Sequence, residues 1–354
     1  MYQSQKKTFI QHSFNKFSAI SNLIRAKYLF KTLPILLMIA IVLSLSQGAY
    51  KLHASDWKAI VLLGKDAGIP FEIIFSIRAP RVLLAVLTGA VFGAVGTALQ
   101  ALFRNPLADP SLIGVTSGAA SGAALAIVLT PYFLGTVITV PLAAFIGSLT
   151  VVGLLYRLAS GQGKPTTTLM LLAGIAINAL AGALIGALSY LADDAALRTL
   201  TFWNLGSFAS ASWNDIAWIS PVVILPLIVL LKSAPALNLI QIGEREAIHL
   251  GVRTITLTRV ILICSALAVG ALIASTGIIG FIGLVAPHCV RLVYGPDCKQ
   301  VMPKAMWLGA LLAIAADLAA RLIIAPVELP LGIFTALIGA PFFLVLLFQQ
   351  KTID

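Results

Sequence analysis

Charge is what this sequence lacks most. Of its 354 residues only 10% are Asp, Glu, Lys or Arg, against 59% hydrophobic; an ordinary soluble domain is about a quarter charged. So few charges cannot cover a body of this size in water, and a soluble globule is excluded. Cysteine is scarce too. Cys264, Cys289 and Cys298 are the three present; none forms a CxxC, and an odd count argues against a disulfide framework. Catalytic signatures are missing: GxxxxGK[ST], HExxH and GxSxG do not occur. The chain therefore carries no phosphate loop, zinc-protease helix or nucleophile elbow. Carboxylates are rare within the apolar runs, where Asp317 alone lies well inside one. A basic stripe interleaved with aromatics is absent as well. The net charge of +11 is spread singly at the ends of apolar runs, and nucleic acid is not expected as a partner.

What the chain has instead is apolar length. The mean hydropathy is +1.00, and a bilayer core takes roughly 20 apolar residues per helix. Such runs lie at 33–50, 82–103, 112–130, 134–156, 168–191, 215–231, 305–325 and 332–349. A longer run, 258–294, predicts two helices divided near Thr276 and Gly277. The expectation is an all-α polytopic membrane protein of about ten spans. A tail over 1–32 precedes a single membrane domain over 33–350. That tail is too long and polar for a signal n-region, and no A-x-A site follows the first apolar run.

With ten spans both ends share a side. Lys and Arg then divide seventeen to that side and seven to the other, accounting for all 24. Basic residues favour cytoplasmic loops, so both termini are expected in the cytoplasm. The connections 50–81 and 192–214 then lie outside, and 232–257 inside.

Three stretches carry more specific information. From residue 78 the chain reads RAPRVLLAVLTGAVFGAVGTALQALFRNPLADPSLIGVTSGAASGA. From 277 it reads GIIGFIGLVAPHCVRLVYGPD, and from 317 DLAARLIIAPVELPLGIFTALIGAPFFLVLL. Together they resemble the FecCD-type permeases of bacterial ATP-driven importers for iron chelates, haem and cobalamin. The resemblance covers roughly residues 33–350. It implies a type II ABC importer permease fold and no catalysis by this chain. It also implies a homodimer in the bacterial inner membrane, served by two copies of an ABC ATPase and by a periplasmic binding protein. ATP would be used by the partner, and no cofactor would be bound permanently. The wording of 169–190, with Phe202 and Trp203 beyond it, is most like the haem branch. Haem is thus the first expected cargo, a ferric siderophore the second and cobalamin the third.

The same residues have local readings. Arg78 and Arg81, stiffened by Pro80 between them, are helix-end anchors that snorkel. Under the resemblance, they and Arg321 meet glutamates of the binding protein. Asp317 offers Arg321 an i,i+4 partner and is read as that structural pair rather than as a proton carrier. Asn105 and Leu107 lie in a rigid Pro-flanked connection, and Thr167 and Thr168 follow Thr166 in an N-capping stretch. The resemblance makes these four a cytoplasmic gate. Glu244, Arg245, Glu246, Ala247, Leu250 and Gly251 form an amphipathic surface segment, or, under the resemblance, a helix that couples to the ATPase. Gly243 and Gly251 would end or turn it. His288, after Pro287, is read as structural rather than as a haem ligand.

Overall fold

The computed structural model describes residues 30–129, 136–160, 166–325 and 327–350. Most of the expected N-terminal tail, together with Lys164 and Lys351, lies outside the described residues. No strand occurs among the described residues. The helices are α1 (Leu33–Ser46), α2 (Ala54–Leu63), α3 (Ala79–Leu102), α4 (Val115–Leu129) and α5 (Thr136–Ser160). After them come α6 (Thr167–Leu191), α7 (Asp194–Leu205), α8 (Trp213–Ile242) and α9 (Glu244–His249). The chain closes with α10 (Thr254–Thr276), α11 (Ile282–Tyr294), α12 (Cys298–Leu322) and α13 (Leu331–Gln350).

Among the described residues, six segments are long and apolar enough to cross a membrane: Ile69–Leu102, Thr139–Ser160, α6, α8, α10 and α12. Four shorter apolar helices, α1, α4, α11 and the start of α13, stand where the other four spans were expected. The long run at 258–294 does divide. α10 stops at Thr276, and Gly277 follows with φ 68°, a left-handed conformation that favours glycine.

Small residues bring the central helices together, since packing between membrane helices depends on close backbone approach. A Cβ on Gly89 of α3 would collide with the Gly309 carbonyl of α12. One on Gly96 would collide with the Gly283 carbonyl of α11, and one on Gly122 of α4 with Ala143 of α5. α3 therefore runs through the middle of the bundle, touching α8, α10, α11 and α12.

The largest departures from the expected bounds are at α8 and before α3. α8 was expected to end near 231, yet it continues to Ile242, so the first part of the 232–257 connection is helix. Ala234, Leu237 and Ile240 are buried there at three-residue spacing, and that stripe holds the helix to the bundle past Pro235. α3 is preceded by the short helix Ile69–Glu72 and a π-helical turn, Ile73–Arg78. Pro80 lacks an N–H and crowds the carbonyl four residues back, and a widened turn accommodates such a ring.

Candidate functional site

The bundle carries two polar ends, one holding the arginines and one holding the 232–257 segment. At the arginine end, the expected rim anchors turn inward. Arg78, Arg81 and Arg321 are only 5%, 7% and 7% exposed, and Asp317 is 2%. Packing explains this: the first turn of α3 lies against the last turn of α12. Arg81 donates from Nε and Nη2 to Asp317 Oδ1 at 3.0 and 2.8 Å. Its Nη1 and Nη2 donate to the Glu328 carboxylate at 3.0 and 2.9 Å. Arg321 Nε lies 3.1 Å from Asp317 Oδ2, the i,i+4 pair read in the sequence. Asp317 is thus held between two guanidiniums, and removing it would leave Arg321 buried without a counterion and Arg81 with Glu328 alone.

The remaining donors cap α1. Arg78 donates to the carbonyls of Leu45, Ser46 and Tyr50 at 2.6, 2.9 and 2.5 Å. Arg321 donates to Ser44 Oγ at 2.5 Å and to the carbonyls of Ser44 and Gln47. The last carbonyls of a helix have no partner within it and carry the negative end of its dipole, so guanidiniums suit them. Three arginines face two carboxylates here, an excess of one positive charge. Arg78, Arg81, Arg321, Tyr50 and Glu328 line an open recess of ≈ 300 Å³.

At the other end, α3 closes in a Schellman turn. Arg104 N–H donates to the Ala101 carbonyl at 3.2 Å and Asn105 N–H to the Gln100 carbonyl at 3.1 Å. The left-handed residue of such a turn is usually glycine; here it is Arg104, with φ 49°. A side chain costs about 1 kcal/mol in that conformation. Asn105 then opens a tight turn. Its Oδ1 accepts from Leu107 N–H at 2.9 Å and its carbonyl from Ala108 N–H at 3.1 Å. Asp109 accepts from Ser111 N–H at 2.9 Å. Asn178, midway along α6, ties this loop to its own helix. It donates to the Ser111 carbonyl at 3.1 Å and accepts from Ser117 Oγ at 2.6 Å. The stretch before α6 caps as read, with Thr166 Oγ1 accepting from Leu169 N–H at 3.3 Å.

α9 is anchored by one residue. Ala247 is buried, while Glu244, Arg245, Glu246, Ile248 and Leu250 are exposed. Gly251, φ 86°, ends it in a second Schellman turn, with Gly251 and Val252 N–H donating to the Ile248 and Ala247 carbonyls at 2.9 Å. Glu244 Oε1 accepts from Thr254 Oγ1 of α10 at 3.2 Å. Thr167, Glu244, Thr254 and Arg104 line one narrow crevice, so a residue of the expected gate and one of the expected coupling segment share a wall. Asn105 lines a different recess, and Leu107 and Thr168 line neither.

α6 exposes most of one side. Ala176, Ala179, Gly182, Ala183, Gly186 and Ala187 are exposed along it, and a Cβ on Gly182 or Gly186 would meet nothing within 4 Å. The outer pair Phe202 and Trp203 divides: Phe202 is exposed, whereas Trp203 packs on the core. Among the described residues no group of three metal-ligating side chains occurs. His288 is buried on α11.

Three residues of these ends escaped the sequence reading. Glu328 lies between two expected spans, where an acidic residue carries no sign of its partner. Asn178 and Gln100 stood inside apolar runs, and a polar amide in a span was the available signal.

The sequence pattern of the FecCD transport family matches residues 36–349. The hemin transport system permease protein HmuU of Yersinia pestis is 43% identical over 284 residues, 79% of this chain and 84% of that one. The cobalamin import system permease protein BtuC of Halobacterium salinarum is 40% identical over 281 residues, 79% and 74% of the two chains. Among solved structures, an inward-facing transporter described as of metal-chelate ABC type superposes with a TM-score of 0.81 at 31% identity. The match covers 91% of this chain and 99% of that one.

Proposed function

This chain belongs to the FecCD transport family and is a multi-pass permease of the ABC importer kind, and we propose that it moves haem into the cytoplasm as a homodimer. A periplasmic binding protein delivers the cargo, and two ABC ATPase subunits supply the energy. Both termini face the cytoplasm, so α9 lies on the ATPase side. The greater identity to a hemin permease than to a cobalamin permease supports the cargo. Ferric siderophore and cobalamin follow it.

The observation that carries the mechanism is the crevice shared by Thr167 and Glu244. α9 presents exposed charges and the apolar Ile248 and Leu250, held to the bundle through Ala247, a surface suited to a protein cleft. A push on α9 reaches α10 through Glu244 and Thr254. The base of α6 and the turn carrying Asn105 adjoin it. Asn178 links that turn to α6, so gate and path wall move together. The exposed small-residue side of α6 is the surface that a second copy and the cargo path would use. At the opposite end, glutamates of the binding protein would enter the recess lined by Arg78, Arg81 and Arg321, where the excess positive charge favours them.

The test is reconstitution in liposomes with the cognate ATPase and binding protein, following haem, a ferric siderophore and cobalamin separately. ATP-dependent movement of haem alone is expected. Movement of another cargo in its place overturns the cargo; no ATP-dependent movement by a verified assembly overturns the transport mechanism.

A further inference from the structure

A second recess at the coupling end, of ≈ 210 Å³, lies where α3, α8 and α11 meet. That is space for about seven waters. It is lined by Gln100, Arg104, Asn105, Pro106, Gln241 and Arg291. Two guanidiniums and no carboxylate are among these six. Arg291 is fixed in place: Nη1 donates to Gln241 Oε1 at 2.8 Å and Nη2 to the Thr97 carbonyl at 3.2 Å. Its Nε is buried without a partner. Gln100 is 2% exposed. It donates from Nε2 to the Leu284 carbonyl at 3.3 Å, while its Oε1 is buried without a partner. Arg104 is exposed, and its guanidinium makes no hydrogen bond or ion pair among the described residues.

These features are hard to account for as packing. Arg104 occupies a left-handed position where glycine would be unstrained, and no carboxylate among the described residues pairs with its charge. Arg291 is braced by neutral groups, which orient a cation without cancelling it. An arginine pair of this kind suits an oxyanion with several acceptor oxygens. The orphaned amide oxygen of Gln100 adds a preference for a hydroxyl beside that anion.

We propose that this recess binds a phosphate group that carries or adjoins a hydroxyl, with Arg104 and Arg291 as its cationic partners. Two sources share that chemistry. One is the glycerophosphate headgroup of an anionic lipid, since basic pockets between helices on the cytoplasmic side take such headgroups. The other is free phosphate. Because Arg104 also lines the crevice holding Thr167 and Glu244, an occupant would brace the turn that begins at Asn105. The lipid source rests on the cytoplasmic orientation proposed above, and the site does not depend on which cargo is carried.

The test uses the purified full chain stripped of lipid, and its Arg104→Asn variant. Asparagine tolerates the left-handed backbone, so the variant removes charge and keeps the turn. Thermal unfolding is followed in nanodiscs of phosphatidylcholine with increasing phosphatidylglycerol, and in phosphatidylcholine alone with inorganic phosphate against chloride at matched ionic strength. A saturable stabilisation is expected, with its midpoint roughly tenfold weaker in Arg104→Asn, the loss of one charged hydrogen-bond partner. Stabilisation by phosphatidylglycerol but not phosphate identifies a lipid headgroup, and the reverse identifies free phosphate. No saturable response to either, or an equal response in the variant, overturns the proposal.

Discussion

α3 and α6 are nearly indistinguishable as sequence and opposite as structure. The segment Ile69–Leu102, which ends in α3, and α6 have peak mean hydropathies of 2.2 and 2.1, and both are rich in Gly and Ala. Yet 78% of the most apolar stretch of the first is buried inside the protein, against 22% for α6. Hydropathy reports transfer out of water and is blind to what replaces the water, whether lipid, protein or a second copy. Their glycines differ in the same way. Those of α3 are gaps that a neighbouring backbone fills, as is Gly174 near the start of α6, whereas Gly182 and Gly186 of α6 border open space.

The largest expected effect tests how far the buried end of α3 depends on its ion network. Asp317→Ala removes the carboxylate shared by Arg81 and Arg321 and leaves both buried. It should cost about 3–5 kcal/mol, read as a large drop in the thermal midpoint of the purified chain. A change within experimental error would mean that Glu328 and the α1 carbonyls suffice for the arginines.

A smaller loss should follow a substitution in the middle of α3. Gly96→Val drives a side chain into the Gly283 carbonyl, and overpacking of this kind costs about 1–3 kcal/mol. If the variant unfolds like the parent, α3 and α11 are not packed as closely as described.

The smallest effect on stability, and the most informative, is expected on α6. A Cβ on Gly186 meets no neighbour in the monomer, and replacing a mid-helix glycine removes a cost of about 0.5–1 kcal/mol, so Gly186→Leu should not lower stability. Self-association, read by cross-linking in membranes, and haem transport should both fall. Loss of stability without loss of association would erase the contrast between the helices. Unchanged association and transport would remove α6 from the proposed copy-to-copy surface.

Much was legible along the chain where the cause is local. The division at Gly277, the N-cap at Thr166, the end of α9 at Gly251 and the Asp317–Arg321 pair all depend on residues within a turn of one another. The signals failed where partners are distant. Arg81 and Asp317 are 236 positions apart, and nothing near Arg81 announces that its charge turns inward. Arg78 and Arg321 cap a helix that precedes both of them. Arg104 lies in the stretch read as a rigid connection after the second span; the recess it lines depends on α8 and α11.

The sequence by itself determined the solvent, the approximate number of spans, those helix ends that a local glycine or cap sets, and the family. Each follows from composition or from residues in contact through the local chain, where the physics is transfer energy and backbone conformation. Only the tertiary structure decided which apolar helix is core and which is surface, which charges neutralise one another, and which stand unanswered at the mouth of a recess. Those outcomes rest on low-dielectric contacts between distant segments, where the strength of a charge depends on what the fold packs against it.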